Sequence, residues 1–397
     1  MSETAKMLRM VTHEHSPRKG GAGMVAEQLA MAVARQGRNV SVWAQENAIL
    51  PDEAVGESKY SLFAVPGVKG SRNPSCLFKM GRVIVAEREG FSGATVHVVE
   101  PAAMEVFFYL QLLGIRPWRH LVLTLHGSEI RRWRSNPVTG QLFRRLAKVA
   151  DCVHVLSGYN AREILSWIPE LAPKLMIGFG VPNTGSVVLN RDYGRCSMAG
   201  RKVLLCVGRI HPRKGQLYLI ECVEGLPESY KNRVQLRFVG QVVKDDYGVK
   251  VSQAAERCGC PVVFSGGVSS DELLRAYCEA DLFAMTSVPV GDSVEGLGLV
   301  YLEASRNGLP VLANRTGGVG DAVLEGETGL LSEVGDQDGF RRNLMRLIDD
   351  EELCARLGDA GRRHVDLHTW DRVAARLYDF SGVESHPLPS ACQKKRI

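Results

Sequence analysis

Short apolar runs alternate with amphipathic segments through the first half of the chain. The run at residues 8–11 is followed by a glycine-containing loop, and residues 24–36 then carry apolar positions at helical spacing up to Gly37. A glycine directly after the last periodic position is typical of a helix C-terminus. Strands separated by helices indicate a parallel sheet with helices on both faces. The pattern predicts strands at residues 8–11, 40–44, 95–99, 121–125, 153–156 and 175–177.

The alternation is interrupted once and then restarts. Residues 178–185 read Gly-Phe-Gly-Val-Pro-Asn-Thr-Gly, which fits neither a helix nor a strand, and we expect a hinge at 184–200. The second half predicts a helix at residues 216–223 and strands at 203–207, 234–239, 262–264, 282–285 and 310–313. We therefore predict an α/β protein with two facing Rossmann-like, doubly wound domains and an inter-domain cleft at their strand ends. The predicted domains are residues 1–190 and 191–370, followed by a helix and a frayed polar tail at 371–397.

Length and composition agree with this organisation. A chain of 397 residues, 45% of them hydrophobic, is long enough for two ordinary domains with full cores. The longest apolar stretch, residues 106–113, is far shorter than the roughly 20 residues that span a membrane. The first 20 residues carry no export signal, and the ten cysteines are scattered, which favours reduced thiols. We expect a cytoplasmic protein.

Charge is distributed unevenly between the two halves. Residues 1–190 hold 22 Lys and Arg against 15 Asp and Glu, a balance of +7, whereas the remainder has a balance of −2. A basic first half suits an anionic partner or peripheral contact with the inner membrane face. The run Arg131-Arg-Trp-Arg134, with Arg144, Arg145 and Lys148 on the helix that follows, could meet lipid phosphates or an acidic acceptor, although a plain solvated surface explains this cluster slightly better. No aromatic-basic motif of the nucleic-acid-binding kind is present, so we expect no nucleic-acid partner.

Two carboxylates stand eight residues apart in the segment Glu295-Gly-Leu-Gly-Leu-Val-Tyr-Leu-Glu303. Apolar spacing from Leu297 predicts a helix, with Glu295 at its N-terminus and Glu303 about two turns further along. Free backbone N–H groups at a helix N-terminus attract phosphate. One carboxylate can accept hydrogen bonds from sugar hydroxyls and the other from a ribose diol. The segment therefore predicts a nucleotide-sugar site.

A basic loop follows the first strand of the second half, in the sequence Val207-Gly-Arg-Ile-His-Pro-Arg-Lys-Gly-Gln216. Gly208 would let a ligand approach the backbone. Arg209 offers a planar fork of donors for phosphate oxygens, and Lys214 a mobile point charge. Two cations facing a pyrophosphate leaving group would stabilise bond breaking. Taken alone, the loop is equally consistent with an exposed basic surface.

Three other loops carry weaker signals. Residues 19–24 follow a strand and open a helix, which suits anion binding by the amide of Gly21, but they lack the G-x-G-x-x-G spacing of NAD sites. His126 ends an apolar strand just before Gly127, where it is either structural or directed into a cleft. The backbone around Val268, after another strand, could pair with a base.

These motifs follow one another in a fixed order along nearly the whole chain. The set comprises Gly20-Gly21, His126-Gly127, Val207-Gly-Arg209, Lys214, residues 280–283, the Glu295/Glu303 pair, residues 308–311, Gly317-Gly318 and residues 326–330. As an ordered set it resembles the retaining GT-B glycosyltransferases of family 4, also called glycosyl transferases group 1.

The resemblance implies a role for each motif. Arg209 and Lys214 would bind the diphosphate beside Gly208, and Glu303 would hold the ribose hydroxyls. His126 would contact the sugar near its reacting face, Gly21 would approach the phosphate from the first domain, and the last helix would cross back to that domain. The donor sugar and the distal phosphate would be held by Glu295 and the amides of Gly296, Leu297, Gly298 and Leu299.

The resemblance further implies transfer of a hexose-type sugar from a nucleoside-diphosphate sugar to an acceptor hydroxyl, with retention of configuration. UDP is the leading expectation for the donor and GDP the next. No Asp-x-Asp pair ends a strand, so we expect neither a metal nor another cofactor. A nucleotide-sugar 2-epimerase of GT-B architecture and a non-catalytic nucleotide-sugar-binding protein remain as alternatives. The acceptor is open between an anionic lipid-linked molecule and a small soluble one.

Overall fold

The chain folds as two units, each built on its own parallel sheet. A computed structural model describes residues 7–17, 20–52, 54–69, 73–182, 200–242 and 245–379. One unit comprises Met1–Gly180 with Thr369–Ile397, and the other comprises Val181–His368. The first boundary lies ten residues before the end of the predicted first domain. The predicted hinge at 184–200 lies outside the described residues except for Gly200.

Seven strands form the sheet of the first unit. They are β1 Met7–Val11, β2 Asn39–Gln45, β3 Ser61–Val65, β4 Thr95–Val98, β5 His120–Leu125, β6 Cys152–Val155 and β7 Leu175–Ile177. All pairs are parallel, and the order is β3-β2-β1-β4-β5-β6-β7. The strand order reverses between β1 and β4, which is where doubly wound sheets bind ligands at their carboxyl edge. β3 was not predicted, because as an edge strand it buries little of its apolar surface.

Eight helices accompany these strands in the described part of the first unit. They are α1 Gly21–Arg35, α2 Pro74–Ala86, α3 Arg88–Ser92, α4 Pro101–Leu112, α5 Ser128–Ser135, α6 Pro137–Val149, α7 Gly158–Trp167 and, from the end of the chain, α16 Trp370–Leu377. α2 packs against α4 and α4 against α6, whereas α1 packs against α16. α1 begins three residues earlier than predicted, because Gly20 already serves as its N-cap.

The second unit repeats the same topology. Its strands are β8 Lys202–Val207, β9 Val234–Val239, β10 Val262–Phe264, β11 Leu282–Met285, β12 Val311–Arg315 and β13 Gly329–Glu333. They are parallel in the order β10-β9-β8-β11-β12-β13, so the order reverses between β8 and β11. β13 was not predicted, because it begins with a glycine and ends in exposed Glu333. The helices are α8 Gln216–Glu224, α9 Glu228–Lys231, α10 Asp246–Arg257, α11 Ser270–Glu279, α12 Leu299–Arg306, α13 Val319–Ala322, α14 Gln337–Asp349 and α15 Glu351–Asp366.

The loops that follow β8 and β11 are fastened to each other. Gly215 adopts a left-handed conformation with φ of 72°, and a Cβ atom there would overlap the backbone carbonyl of Thr286. The Thr286 hydroxyl donates to the Gly215 carbonyl at 2.6 Å, and the Val288 N–H donates to the Arg213 carbonyl at 2.9 Å. Only glycine combines this φ with so close an approach. The two strand ends are therefore held in fixed register.

A buried chain of hydrogen bonds joins the segment after α16 to the centre of the first sheet. It runs from Tyr378 Oη to His97 Nδ1 (2.6 Å), His97 Nε2 to Thr124 Oγ1 (2.6 Å), Thr124 Oγ1 to His154 Nδ1 (2.9 Å) and His154 Nε2 to the Gly178 carbonyl (2.8 Å). Since a carbonyl can only accept, His154 carries its proton on Nε2. The Thr124 hydroxyl therefore donates to His154 Nδ1, His97 Nε2 donates to Thr124 Oγ1, and the Tyr378 hydroxyl donates to His97 Nδ1. Both imidazoles are neutral. Burial lowers the pKa of His97 well below its usual value and that of His154 to about 4.

Acidification should therefore destabilise the first unit. The unfolded chain protonates His154 near pH 6.5 but the folded chain only near pH 4, so stabilisation present above pH 6.5 is lost as the pH falls through this window. We expect this group to contribute a loss of about 1.4 kcal/mol in unfolding free energy for each pH unit below 6.5. All five tryptophans lie in the first unit, so their fluorescence during urea unfolding measures the effect.

Two variants test the assignment to His154. His154→Gln removes the titrating group, and its unfolding free energy should change less with pH than that of the wild type. His97→Gln, at the other buried histidine of the hydrogen-bond chain, should also reduce the slope, because burial lowers the pKa of His97 as well. Equal slopes for the wild type and His154→Gln would contradict the assignment.

Gly215→Ala should destabilise the second unit strongly. The left-handed conformation costs an alanine about 1–2 kcal/mol. The overlap with the Thr286 carbonyl should add roughly 2 kcal/mol, because the backbone must move. Gly326→Ala is the matched control, since Gly326 has φ of 71° with no atom within 4 Å of its Cβ position. Scanning calorimetry of both variants measures the difference, and equal losses would show that the loop contact contributes nothing.

Candidate functional site

Glu295 lies at the centre of a partly buried ion cluster in the second unit. Its Oε2 accepts hydrogen bonds from Arg213 Nη1 at 2.7 Å, Lys214 Nζ at 2.7 Å and Ser287 Oγ at 3.2 Å. The side chains of Glu295, Arg213 and Lys214 are only 9%, 19% and 16% exposed. Attraction among charges that are largely withdrawn from water is stronger than at the surface. One carboxylate faces two cations, which leaves an excess positive charge for an anionic ligand.

The two oxygens of the Glu295 carboxylate differ. Oε2 takes all three hydrogen bonds, whereas Oε1 accepts none from any residue in the described part of the chain. Burial alone would raise the pKa of Glu295, but Lys214 and Arg213 outweigh it and lower that pKa below its usual value. The group is therefore ionised, fixed in position, and able to accept a hydrogen bond from a ligand hydroxyl at Oε1.

The backbone of Glu295 is held by the loop after β12. The N–H of Gly318 donates to the Glu295 carbonyl at 2.8 Å. Gly317, with φ of 52°, lies so close that a Cβ atom there would overlap the same carbonyl. The glycine pair that the sequence singled out after β12 therefore supports Glu295.

The helix between the two carboxylates begins later than predicted. Gly298, with φ of 84°, is the N-cap of α12, so the helix starts at Leu299 and not at Leu297. Glu295 consequently precedes the helix by four residues, and Glu303 lies one turn inside it instead of two. The first N–H groups of α12 have no side-chain cap, an arrangement that attracts anions. Leu297 is buried, so only its backbone can face a ligand.

Glu303 is already engaged within the second unit. It is 5% exposed, and its carboxylate accepts a hydrogen bond from Tyr277 Oη at 2.7 Å. Burial, followed by the Glu303 charge, raises the pKa of Tyr277 well above its usual value. The hydrogen bond from Tyr277 orients the Glu303 carboxylate. Its predicted contact with a ribose diol stays a prediction.

The turn after β8 brings Gly208, Arg209 and Lys214 together. Gly208 has φ of 150°, and the Lys214 side chain passes 3.7 Å from the position that a Cβ atom of Gly208 would occupy. Arg209 is exposed, and its guanidinium forms no hydrogen bond or ion pair with the described residues. Gln216 Nε2 donates to the Arg209 carbonyl at 2.9 Å and so fixes the backbone of this turn. A free cation therefore stands beside a paired one.

Arg213 belongs to the cluster but was not identified from the sequence. It stands in the same loop as Arg209 and Lys214, and nothing in its spacing distinguishes it from a solvated arginine. The distinguishing signal is structural, since the short turn Pro212–Lys214 directs both Arg213 and Lys214 to the same carboxylate oxygen.

The remaining predicted residues lie at the carboxyl edges of their own sheets. Val268 follows β10 in the second unit and is partly buried. In the first unit, His126 follows β5, its Nε2 bonds to the Val99 carbonyl at 2.7 Å, and its backbone N–H donates to Glu129. Nδ1 of His126 is left as an acceptor. Gly21 opens α1 and is exposed, with no atom within 4 Å of its Cβ position.

Two other properties of the described residues bear on chemistry. They contain no group of three or more His, Cys, Asp or Glu placed to hold a metal ion. Among them no helix is both long and apolar enough to cross a bilayer. The expectation that no metal is required stays a prediction.

Family models match both units of the chain. The model described as Glycosyltransferase Family 4 matches residues 19–173, and the model described as Glycosyl transferases group 1 matches residues 197–364.

Proteins of known function are similar along nearly the full length. The GDP-mannose-dependent alpha-(1-6)-phosphatidylinositol monomannoside mannosyltransferase of Mycolicibacterium smegmatis is 30% identical over 388 residues, which cover 94% of this chain and 97% of the relative. The N-acetyl-alpha-D-glucosaminyl L-malate synthase of Bacillus anthracis is 25% identical over 369 residues, covering 88% and 90%.

Solved structures share the fold at lower identity. Anabaena HepE, in complex with UDP and glucose, superposes with a TM-score of 0.71 at 19% identity, covering 93% of this chain and 97% of HepE. The sucrose-phosphate synthase of Thermosynechococcus elongatus gives a TM-score of 0.73 at 20% identity, covering 94% and 97%. Identities this low show the fold alone. Together with the relative that is 30% identical over nearly its whole length, they establish that the chain belongs to the family 4 glycosyltransferases and has the GT-B fold.

Proposed function

We propose that this glycosyltransferase moves a hexose from a nucleoside-diphosphate sugar to an acceptor hydroxyl, with retention of anomeric configuration. The observation that carries the proposal is the asymmetry of Glu295. Its Oε2 is held by Arg213 and Lys214, whereas its Oε1 is left to accept from a sugar hydroxyl. The uncapped start of α12 follows directly and offers N–H groups to phosphate.

In this proposal the cations of the β8 loop stabilise the leaving diphosphate. Arg209, which is exposed and unpaired among the described residues, supplies a planar donor pair to phosphate oxygens. Lys214 bridges Glu295 and the diphosphate, and negative charge that develops on the leaving oxygen strengthens its contact. Arg213 positions Glu295. Glu303 and the backbone of Val268 hold the nucleoside, and Gly21 and His126 act from the first unit.

We propose retention without a covalent sugar–enzyme intermediate, because the described residues place no free carboxylate pair of the kind used by retaining glycosidases at this edge. Among the described groups at this edge, Glu295 is engaged by two cations and Glu303 by Tyr277. The leaving phosphate itself would take the proton of the attacking hydroxyl while the carbon–oxygen bond to the acceptor forms on the same face. Catalysis then comes from positioning and electrostatics, without a metal.

For the donor we propose GDP-mannose. The support is the Mycolicibacterium smegmatis relative, which is named as GDP-mannose-dependent and is similar over 94% of this chain. UDP, the leading expectation from the sequence, is bound in a fold neighbour at 19% identity, a likeness that shows the fold alone. The acceptor class is not proposed, because the names of two relatives differ in it. The name of the Mycolicibacterium smegmatis relative contains a phosphatidylinositol monomannoside, and that of the Bacillus anthracis relative contains malate.

A donor panel tests the proposed reaction. GDP-mannose, UDP-glucose and ADP-glucose are incubated separately with the protein without acceptor and followed by proton NMR. We expect slow release of free mannose from GDP-mannose, because water replaces the acceptor, and this release should fall about 100-fold or more in Lys214→Ala. Lys231→Ala, which removes a lysine that is also largely buried (18% exposed) and paired with a carboxylate, Glu228, is the matched control and should keep wild-type activity.

Each outcome of the panel decides between the candidate functions. Release of glucose from UDP-glucose alone would replace GDP-mannose by UDP-glucose as donor. A new, intact nucleotide-sugar isomer would show an epimerase. No turnover of any donor, with calorimetry detecting binding, would show a binding protein, and near-normal turnover in Lys214→Ala would remove the assigned role of the β8 loop.

Glu295→Gln should separate sugar binding from diphosphate binding. The substitution removes a negative charge from beside Lys214 and Arg213, so the affinity for GDP should stay equal or rise. The affinity for GDP-mannose should fall by about tenfold relative to GDP, because a hydrogen bond from a hydroxyl to a carboxylate is lost. Calorimetric titration with both ligands measures the ratio. An equal loss for GDP and GDP-mannose would contradict a sugar contact by Glu295.

A further inference from the structure

The basic run that the sequence offered as a membrane contact is used inside the first unit. Arg131 Nε bonds to Glu163 at 2.9 Å, Arg132 pairs with Glu105 at 3.4 Å, and Arg134 bonds to Ser166 at 3.1 Å. These side chains brace α5 against α7 and α4. Two of the three arginines are paired with carboxylates, so most of the excess positive charge of this half lies elsewhere.

The outer face of α2 and α4 exposes large apolar side chains. On α2, Phe78 and Val85 are 67% and 36% exposed, and on α4 Tyr109 and Leu112 are 53% and 52% exposed, followed by Leu113 at 73%. Phe78 and Val85 on α2, and Tyr109 and Leu112 on α4, fall at helical spacing, so each pair lies on one face of its helix. Isolated exposed apolar residues need no explanation, but two neighbouring stripes do.

The three helices α2, α4 and α6 form one continuous surface. A Cβ atom on Gly81 of α2 would stand 3.5 Å from Val106 of α4, so the two helices cross closely at that point. At the far end of α4, Gln111 Nε2 donates to the Arg145 carbonyl of α6 at 3.1 Å. The surface of α2 and α4 therefore continues onto α6, where the cations Arg145 and Lys148 are exposed.

Charge on this surface is almost entirely positive. The three helices, with the turn after α4 up to residue 119, contain seven lysines and arginines and one acidic residue, Glu105. Arg132 of α5 neutralises Glu105. Lys79 and Arg82 alternate with the apolar residues on α2, and Arg116 and Arg119 follow the apolar end of α4. The long side chains of Lys and Arg can lie along apolar surface while their charged ends reach outward.

We propose that the outer face of α2, α4 and α6 docks on an anionic lipid bilayer. Leu112, Leu113 and Phe78 insert at the boundary between headgroups and acyl chains, while Arg82, Arg145 and Lys148 contact lipid phosphates. The proposal goes beyond the transfer reaction and needs neither donor nor acceptor.

A bilayer explains the exposed apolar and basic residues better than two other partners, a nucleic acid or a second copy of this chain. A nucleic acid would be bound by the basic residues but gives no reason for exposed leucines at the end of α4. A second copy of this chain would bring two strongly positive surfaces together, which costs free energy. An anionic bilayer offers an apolar layer and negative charge side by side.

Vesicle flotation tests the docking surface. The full chain is mixed with vesicles of phosphatidylcholine or of phosphatidylcholine with phosphatidylglycerol. We expect binding to the anionic vesicles only, reduced when salt rises from about 0.15 M to about 1 M. Leu112→Ser with Leu113→Ser should lower the partition constant at least about tenfold, because apolar area is lost. Arg145→Gln with Lys148→Gln should lower it about fivefold per residue, mainly at low salt.

Matched controls lie on the second unit. Val249→Ser changes an apolar residue that is 54% exposed, and Lys250→Gln with Arg257→Gln changes two exposed cations of α10. These variants should partition like the wild type, and so should Glu295→Gln. Loss of vesicle binding in the controls, or equal binding to neutral vesicles, would overturn the proposal.

Two further measurements exclude the other occupants. Analytical ultracentrifugation should show that the Leu112→Ser/Leu113→Ser variant has the same sedimentation as the wild type. A wild-type dimer that this variant dissociates would assign the surface to a second copy. Competition of vesicle binding by RNA, with RNA affinity unaffected by the leucine substitutions, would assign it to nucleic acid.

Discussion

The bond between Glu295 and its two cations is the interaction on which the site in the second unit depends. Arg213 and Lys214 come from the loop after β8, Ser287 from the loop after β11, and the Glu295 backbone is fastened by Gly318 after β12. These strands are adjacent only because the sheet order is β10-β9-β8-β11-β12-β13. The topology therefore creates the charge cluster, and the cluster in turn holds three strand ends together.

Two buried carboxylates, Glu295 and Glu100, differ in how many of their oxygens accept hydrogen bonds. Glu100, at the equivalent reversal point of the first sheet, is also buried, and hydrogen bonds from His13, Ala102 and Ala103 outweigh burial and lower its pKa. However, both of its oxygens are occupied, Oε1 by His13 and Ala103 and Oε2 by Ala102. A carboxylate with every acceptor position used stabilises the fold. Glu295, with an oxygen unused by the described residues beside excess positive charge, is the carboxylate for which we propose a ligand contact.

The sequence predicted the parts of this architecture that repeat, and missed those set by single contacts. The central strands were predicted because buried parallel strands are continuous apolar runs. The edge strands β3 and β13 lack such runs, so their pattern is weak. Glu295, Arg209 and Lys214 stood out by spacing, but Arg213 did not, because its role comes from one turn of backbone at Pro212–Lys214. The start of α12 was placed early, because apolar Leu297 continues the helical spacing, whereas left-handed Gly298 ends it.

The location of the basic surface is the property that the sequence alone determines least. The balance of +7 in residues 1–190 establishes that some surface is basic but does not say which one. In the conspicuous cluster from Arg131 to Arg134, Arg131 and Arg132 are paired with carboxylates on neighbouring helices, and Arg134 bonds to the Ser166 hydroxyl. The effective positive surface comes from scattered residues of α2, α4 and α6, which are brought side by side because these helices cover the same face of the sheet. A count along the sequence finds charges that are close in the chain, whereas a binding partner contacts charges on neighbouring helices. Which helices are neighbours depends on the order of the strands beneath them. The position of the basic surface therefore follows from the sheet topology.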